Sequence, residues 1–87
     1  MKFVFTKHAS VDKFAWLKKH KFKIKITKLI IKEIIQNPDH EDKESDLPKI
    51  IASQTIDERH ILRVVYRKED DIIIVITFYP AEKGRYY

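Results

Sequence analysis

Three β-rich runs fill the second half of the chain and constrain the fold more than any other sequence feature. Residues 50–56, 61–67 and 72–79 are rich in β-branched and aromatic side chains. Short charged breaks at 57–58 and 69–71 separate these runs. Because neighbouring strands with short connections pair in opposite directions, this half of the chain predicts an antiparallel meander.

The first half of the chain predicts one short strand followed by two helices. An aromatic strand over 3–5 leads into Thr6, whose hydroxyl can accept a hydrogen bond from the first amides of a helix over 7–19. Thr27 can cap a second helix over 28–36, where Ile and Leu recur at helical spacing. The expected fold class is α+β, ordered β-α-α-β-β-β, with two helices packed on one face of a mostly antiparallel four-stranded sheet.

The length of 87 residues predicts a single domain over 1–87, with an acidic, flexible loop at 39–46. The loop has almost no apolar residue, so it should be solvated. A chain of this size has no room for separate cofactor and substrate domains, and we expect no cofactor. The absence of cysteine excludes disulfides and zinc fingers.

Positive charge is concentrated in the N-terminal part of the chain. The formal net charge is +5, and residues 1–36 alone carry +8. Such a surface attracts RNA, DNA or anionic lipid. The alternative is that the lysines only solvate helix faces. No apolar stretch approaches the roughly 20 residues of a membrane span, so we expect a soluble, cytoplasmic protein with no membrane partner.

Arg63 stands among apolar strand residues, and the turn at 69–71 decides which sheet face it occupies. A three-residue turn pairs Arg63 with Thr77 on the face away from the helices. A two-residue turn pairs Arg63 with Ile76 under the helices, where an unpaired guanidinium is costly to bury. The three-residue turn is therefore predicted. The resulting face carries Arg63, Thr77, Tyr79, Val65 and Val75.

Several short motifs along the chain resemble those of a known family. They are Phe5-Thr6-Lys7-His8-Ala9, Ile26-Thr27, Asn37-Pro38, Leu62-Arg63-Val64-Val65-Tyr66, Val75-Ile76-Thr77-Phe78-Tyr79-Pro80 and Arg85-Tyr86. With the order of elements, these motifs resemble a small family that is similar to the RelE/ParE-type toxins of the Barnase-EndoU-colicin-RelE nuclease fold. The resemblance spans nearly the whole chain.

This resemblance implies a toxin-like, metal-independent endoribonuclease that cleaves RNA by general acid–base catalysis, free or on the ribosome, and alone or with an antitoxin partner. It also implies an active groove on the sheet face away from the helices. The matching catalytic positions are His8, Arg63, Thr77, Arg85 and Tyr86. Three alternatives stay open: a non-catalytic module of the same fold that binds nucleic acid or protein, a structural subunit whose exposed face is covered by a constant partner, and action on gyrase, as in ParE-like relatives.

The residues themselves suggest roles for two of these positions. His8 lies near a helix start, where the helix dipole favours the neutral imidazole that can act as a base. A local hydrogen bond at the strand–helix junction is the alternative. The Arg63 guanidinium suits bidentate phosphate binding, which lysine cannot provide. The alternative for Arg63 is an ion pair with Asp57, Glu58 or the acidic loop.

Basic residues outside the strands are candidates for nucleic-acid binding. Those selected are Lys7, Lys18, Lys19 and Lys83. The tail over 82–87 combines cations with aromatic rings, which can neutralise phosphate and stack on a base, unless the tail simply frays. No two histidines have the spacing of metal ligands, so we expect no metal site.

Overall fold

The computed structural model describes residues 2–12, 26–45 and 47–84, which form one five-stranded sheet with one α-helix. The elements are β1 (Lys2–Phe5), a π-helical turn (His8–Asp12), α1 (Lys28–Gln36), β2 (His40–Asp42), β3 (Ile50–Thr55), β4 (His60–Glu69) and β5 (Ile72–Glu82). The strand order is β1-β5-β4-β3-β2. β1 pairs with β5 in parallel, and every other pairing is antiparallel.

The predicted fold class is wrong in its numbers of strands and helices. The described residues form five strands and one α-helix instead of four strands and two helices. Residues 40–42, predicted to lie in a flexible loop, pair with 51–53 as an edge strand. Charged side chains are compatible with an edge because its outer side stays in water. The predicted helix over 7–19 begins as a π-helical turn, and residues 13–19 lie outside the described part.

The helix α1 covers the range predicted for the second helix. The Thr27 hydroxyl accepts a hydrogen bond from the Ile30 amide at 3.2 Å and so caps its first turn, as predicted. Its buried residues are Ile31, Ile34 and Ile35. This apolar stripe packs on β3 and β4, and the main hydrophobic core lies between α1 and that face of the sheet. We call the other side of the sheet the second face.

β4 and β5 are joined by a two-residue turn, and the predicted three-residue turn is wrong. Glu69 pairs with Ile72, which leaves only residues 70 and 71 in the turn. Asp70 has a φ of 51°, in the left-handed region that aspartate tolerates better than most residues. With a regular register, this turn would pair Arg63 with Phe78 instead of Tyr79.

A β-bulge in β5 changes this pairing. Tyr66 pairs with Val75, whereas the preceding residue, Val65, pairs with Thr77. The extra residue on β5 is therefore Ile76. Because side chains alternate between faces along a strand, the inserted residue moves every later β5 side chain to the opposite face of the sheet.

Arg63 lies on the second face because its neighbours Leu62 and Val64 face the core, and the bulge brings a different β5 residue opposite it from the one predicted. Arg63 pairs with Tyr79, so the predicted pairing with Thr77 is wrong. Thr77 and Tyr79 nevertheless share the face of Arg63, as predicted. Val75, which was predicted on that face, lies in the core under α1.

Thr6 connects the N-terminal segment to the bulge. Its hydroxyl donates a hydrogen bond to the Ile76 carbonyl at 2.9 Å, and its amide donates to the Val75 carbonyl at 3.0 Å. The same hydroxyl accepts from the Ala9 amide at 3.2 Å, which confirms the predicted capping role. Thr6 therefore stabilises both the π-helical turn and the irregularity that sets the second face.

Within the described ranges, the model contains no helix with the length and apolar character required to cross a bilayer.

Candidate functional site

Four polar side chains form a continuous line across four strands on the second face. His40 on β2 pairs with Ser53 on β3, Ser53 pairs with Arg63 on β4, and Arg63 pairs with Tyr79 on β5. Directly opposed residues of antiparallel strands lie on the same face, and neighbouring strands are about 4.8 Å apart. We call His40, Ser53, Arg63 and Tyr79 the polar row.

Arg63 is the charged centre of the polar row. Only 8% of the residue is exposed. Its Nε donates a hydrogen bond to the Tyr79 hydroxyl at 3.0 Å, and its guanidinium carbon lies 5.8 Å from the centre of the Tyr79 ring. Hydrogen bonding and cation–π attraction to one ring therefore fix the orientation of the guanidinium.

Two hydroxyl groups near Arg63 are buried without a hydrogen-bond partner. One is Ser53 Oγ, in a residue that is 1% exposed, and the other is Thr77 Oγ1. Thr77 lies two residues from Tyr79 on β5 and opposite Val65, next to the polar row. A buried hydroxyl without a partner costs about 1–3 kcal/mol. An anionic oxygen that accepts from either group would recover part of that free energy.

The exposed end of the polar row is His40, with Asp42 on the same face of β2. The Asp42 carboxylate accepts hydrogen bonds from the Ser45 and Glu44 amides, each at 3.0 Å. These bonds, that of Ser45 first, and the nearby charge of His40 lower the pKa of Asp42 to about 2. An ionised carboxylate therefore lies two residues from His40, on the same face of β2, at neutral pH.

The structure brings together some of the predicted catalytic residues. Arg63 and Thr77 lie on the second face on neighbouring strands, and Thr77 is two residues from Tyr79, the partner of Arg63. His8 is exposed in the π-helical turn, which packs against β1 and β5, and is not a member of the polar row. Arg85 and Tyr86 lie outside the described residues.

The predicted nucleic-acid-binding lysines lie away from the polar row or outside the described part. Lys7 is exposed just before the π-helical turn. Lys83 is exposed at the end of β5, where its amide donates to the Arg59 carbonyl at 2.7 Å. Lys18 and Lys19 fall outside the described ranges.

A second polar cluster lies at the start of β4. His60 Nδ1 lies 2.9 Å from Asp57 Oδ1, and the same carboxylate oxygen accepts from the Arg59 and His60 amides at 2.8 Å each. Burial opposes ionisation of Asp57, but the hydrogen bonds outweigh it and lower its pKa. The cluster borders an open cavity of about 470 Å³, which is lined by Glu58, Arg59, His60, Glu82 and Lys83.

The Asp57 carboxylate contacts His60. The sequence had offered Asp57 as one alternative ion-pair partner of Arg63. The contact that fixes the Arg63 Nε is the uncharged Tyr79 hydroxyl. Within the three described ranges, no group of three or more His, Asp or Glu side chains is placed to hold a metal ion.

Sequence reasoning missed two members of the polar row. Ser53 was not singled out, although it is a hydroxyl residue in the middle of an apolar strand, and this was the available signal. His40 was assigned to a solvated loop because its neighbours are acidic. Only the pairing of β2 with β3 shows that it aligns with Ser53 and Arg63.

Comparisons with known proteins found no relative of this chain. No protein-family model matches the sequence, and no curated protein or solved structure is significantly similar to it. The resemblance to RelE/ParE-type toxins therefore stays a prediction from the motifs.

Proposed function

We propose that the chain is a metal-independent endoribonuclease that binds the RNA backbone at the polar row. The observation that carries this proposal is the buried Arg63 guanidinium, oriented by Tyr79 and flanked by the unpartnered hydroxyls of Ser53 and Thr77. A cation combined with hydroxyl donors is suited to the oxygens of a phosphate. Burial lowers the local dielectric and strengthens the attraction between the guanidinium and an anion.

The chemistry is an attack by the ribose 2′-oxygen on the adjacent phosphorus. A base removes the 2′-OH proton, the oxygen–phosphorus bond forms, and the bond to the 5′-oxygen breaks. The products are a 2′,3′-cyclic phosphate and a 5′-hydroxyl. Arg63 would stabilise the additional negative charge that develops on the phosphate oxygens in the transition state.

The wider biological role in this proposal rests on the resemblance alone. It includes a toxin-like activity on RNA, action on the ribosome and an antitoxin partner. Arg85 and Tyr86 keep a predicted supporting role, and His8 remains a predicted acid or base. The lysines Lys7, Lys18, Lys19 and Lys83 remain predicted contacts for the RNA backbone.

The test is cleavage of end-labelled RNA in the presence of EDTA, with and without added ribosomes. We expect the wild type to cut RNA and to leave a strand with 2′-deoxyribose at the cleaved position intact. Arg63→Ala should lose at least about 100-fold in rate, the scale typical for removal of one group that stabilises transition-state charge. Arg63→Lys keeps the charge and tests whether the guanidinium geometry is needed.

Arg67→Ala is the matched control because it removes a guanidinium from the same strand. Arg67 is exposed and lies 3.4 Å from Glu69 through its Nε. Circular dichroism and thermal unfolding establish that each variant is folded. Intact RNA with folded wild-type protein would contradict the proposal, and so would equal loss in Arg67→Ala and Arg63→Ala. RNA binding without cleavage would favour the non-catalytic module.

A further inference from the structure

The edge strand β2 adds a histidine to the polar row. β2 pairs with β3 so that His40 lies opposite Ser53, which itself lies opposite Arg63. Two strand spacings separate the backbones of His40 and Arg63 by about 10 Å. The two side chains extend from the same face, and a ribose with its 3′-phosphate is of the size to lie between them. His40 is exposed, whereas Arg63 is buried.

We infer that His40 is the general base that removes the 2′-OH proton at the polar row, an inference that rests on the proposed endoribonuclease function. A neutral imidazole nitrogen takes the proton from the ribose hydroxyl as the 2′-oxygen bonds to phosphorus. The leaving 5′-oxygen takes a proton from water. His40 then returns its proton to solvent, so the protein is unchanged after each turnover.

Asp42 places an ionised carboxylate on the face of β2 that carries His40. It lies two residues from His40 on the same face, and its carboxylate is fixed by the Ser45 and Glu44 amides. An ionised carboxylate on this face attracts positive charge that develops beside it during proton transfer. Asp42 is therefore a positioning residue that acts through His40.

The backbone that carries His40 is held to β3 just before the histidine. The Asp39 amide donates to the Ser53 carbonyl at 2.9 Å, and Asp39 Oδ2 accepts from the Thr55 amide at 2.9 Å. On the opposite face, the Tyr66 hydroxyl lies 3.4 Å from Glu41 Oε2. These contacts keep a three-residue strand in register with the centre of the sheet.

His60 occupies a different location. It is the first residue of β4 and lies an odd number of positions from Arg63, so the alternation of side chains places it with the α1 face. Its Nδ1 contacts Asp57. His60 therefore provides a matched histidine for a control substitution outside the polar row.

The test compares His40→Asn with His60→Asn in the EDTA cleavage assay. We expect His40→Asn to lower kcat at least about 100-fold, the contribution typical of a general base. RNA affinity and KM should stay within about threefold, because Arg63 and the hydroxyls are intact. Added imidazole should restore part of the rate to His40→Ala. Asp42→Asn should lower kcat less than His40→Asn does, with unchanged RNA binding.

The outcomes separate this inference from the function on which it rests. If the wild type cleaves RNA and His40→Asn has the same kcat, His40 is not the general base. The proposed endoribonuclease function would then still stand. Equal losses in His40→Asn and His60→Asn would also overturn it. No cleavage by the wild type would reject the endoribonuclease itself, and the inference with it.

Discussion

Ser53 buries a hydroxyl oxygen that has no hydrogen-bond partner, at a position beside Arg63. Ser53→Ala removes this unpaired group, so we expect the free energy of unfolding to rise by about 1 kcal/mol. For a domain of this size, that is an increase of about 4–8 °C in Tm, measurable by calorimetry. RNA cleavage should fall in the same variant, since a group retained for binding is removed. A lower Tm would show that the hydroxyl is paired in the folded state.

Asp42 should make stability depend on acid pH. Hydrogen bonds from the Ser45 and Glu44 amides lower its pKa from 3.8 to about 2. Above about pH 4 the carboxylate is ionised in both folded and unfolded states, and these bonds stabilise the fold. Between pH 4 and pH 2 the unfolded state binds the proton first, so that stabilisation is lost as pH falls.

Asp42→Asn should therefore lower Tm at pH 7 and flatten its fall between pH 4 and pH 2. Thermal unfolding at four pH values across this range measures the effect. Glu44→Gln is the control. The Glu44 side chain is exposed in the same turn, and this substitution keeps the Glu44 backbone amide that donates to the Asp42 carboxylate. An unchanged acid profile in Asp42→Asn would contradict the role of these hydrogen bonds.

At the scale of elements, the bulge in β5 depends on Thr6. Thr6→Val keeps the shape of the side chain but leaves the Ile76 carbonyl and the Ala9 amide without their partner. We expect a loss of about 1–2 kcal/mol in the free energy of unfolding, measured by urea denaturation. Thr6→Ser retains the hydroxyl and should recover most of this loss. Equal stability of Thr6→Val and wild type would mean that the bulge forms without this contact.

At the scale of the whole molecule, stability depends on the apolar core that the described residues form between α1 and the sheet. Ile34→Ala opens a cavity at a fully buried position and should cost about 2–5 kcal/mol. That is a large part of the roughly 5–15 kcal/mol that stabilises a small domain. Leu29→Ala, on the same helix but 76% exposed, should change stability by less than about 0.5 kcal/mol. Urea denaturation of both variants tests this difference, and similar losses would contradict the packing of α1.

Local signals in the sequence were sufficient for several elements. α1 lies where its helical periodicity and the Thr27 cap predicted it, and three long strands lie close to their predicted ranges. These features depend on residues within a few positions of each other, such as a hydroxyl before a helix or alternating apolar side chains. The face shared by Arg63, Thr77 and Tyr79 was also predicted, although through a turn that does not form.

The remaining features were decided by contacts between residues far apart in the chain. The edge strand β2 forms because its backbone pairs with β3, although its composition is typical of a solvated loop. The bulge at Ile76 is held by Thr6, 70 residues earlier, and it brings Thr77 and Tyr79 to the face of Arg63 despite the two-residue turn at Asp70. Charge and periodicity report local preference, whereas pairing and register are set by the free energy of the whole sheet. The sequence alone predicted that Arg63, Thr77 and Tyr79 share one face of the sheet, because alternation along a strand is local. Only the tertiary structure aligned His40, Ser53, Arg63 and Tyr79 in one row, because that row depends on the pairing of four strands.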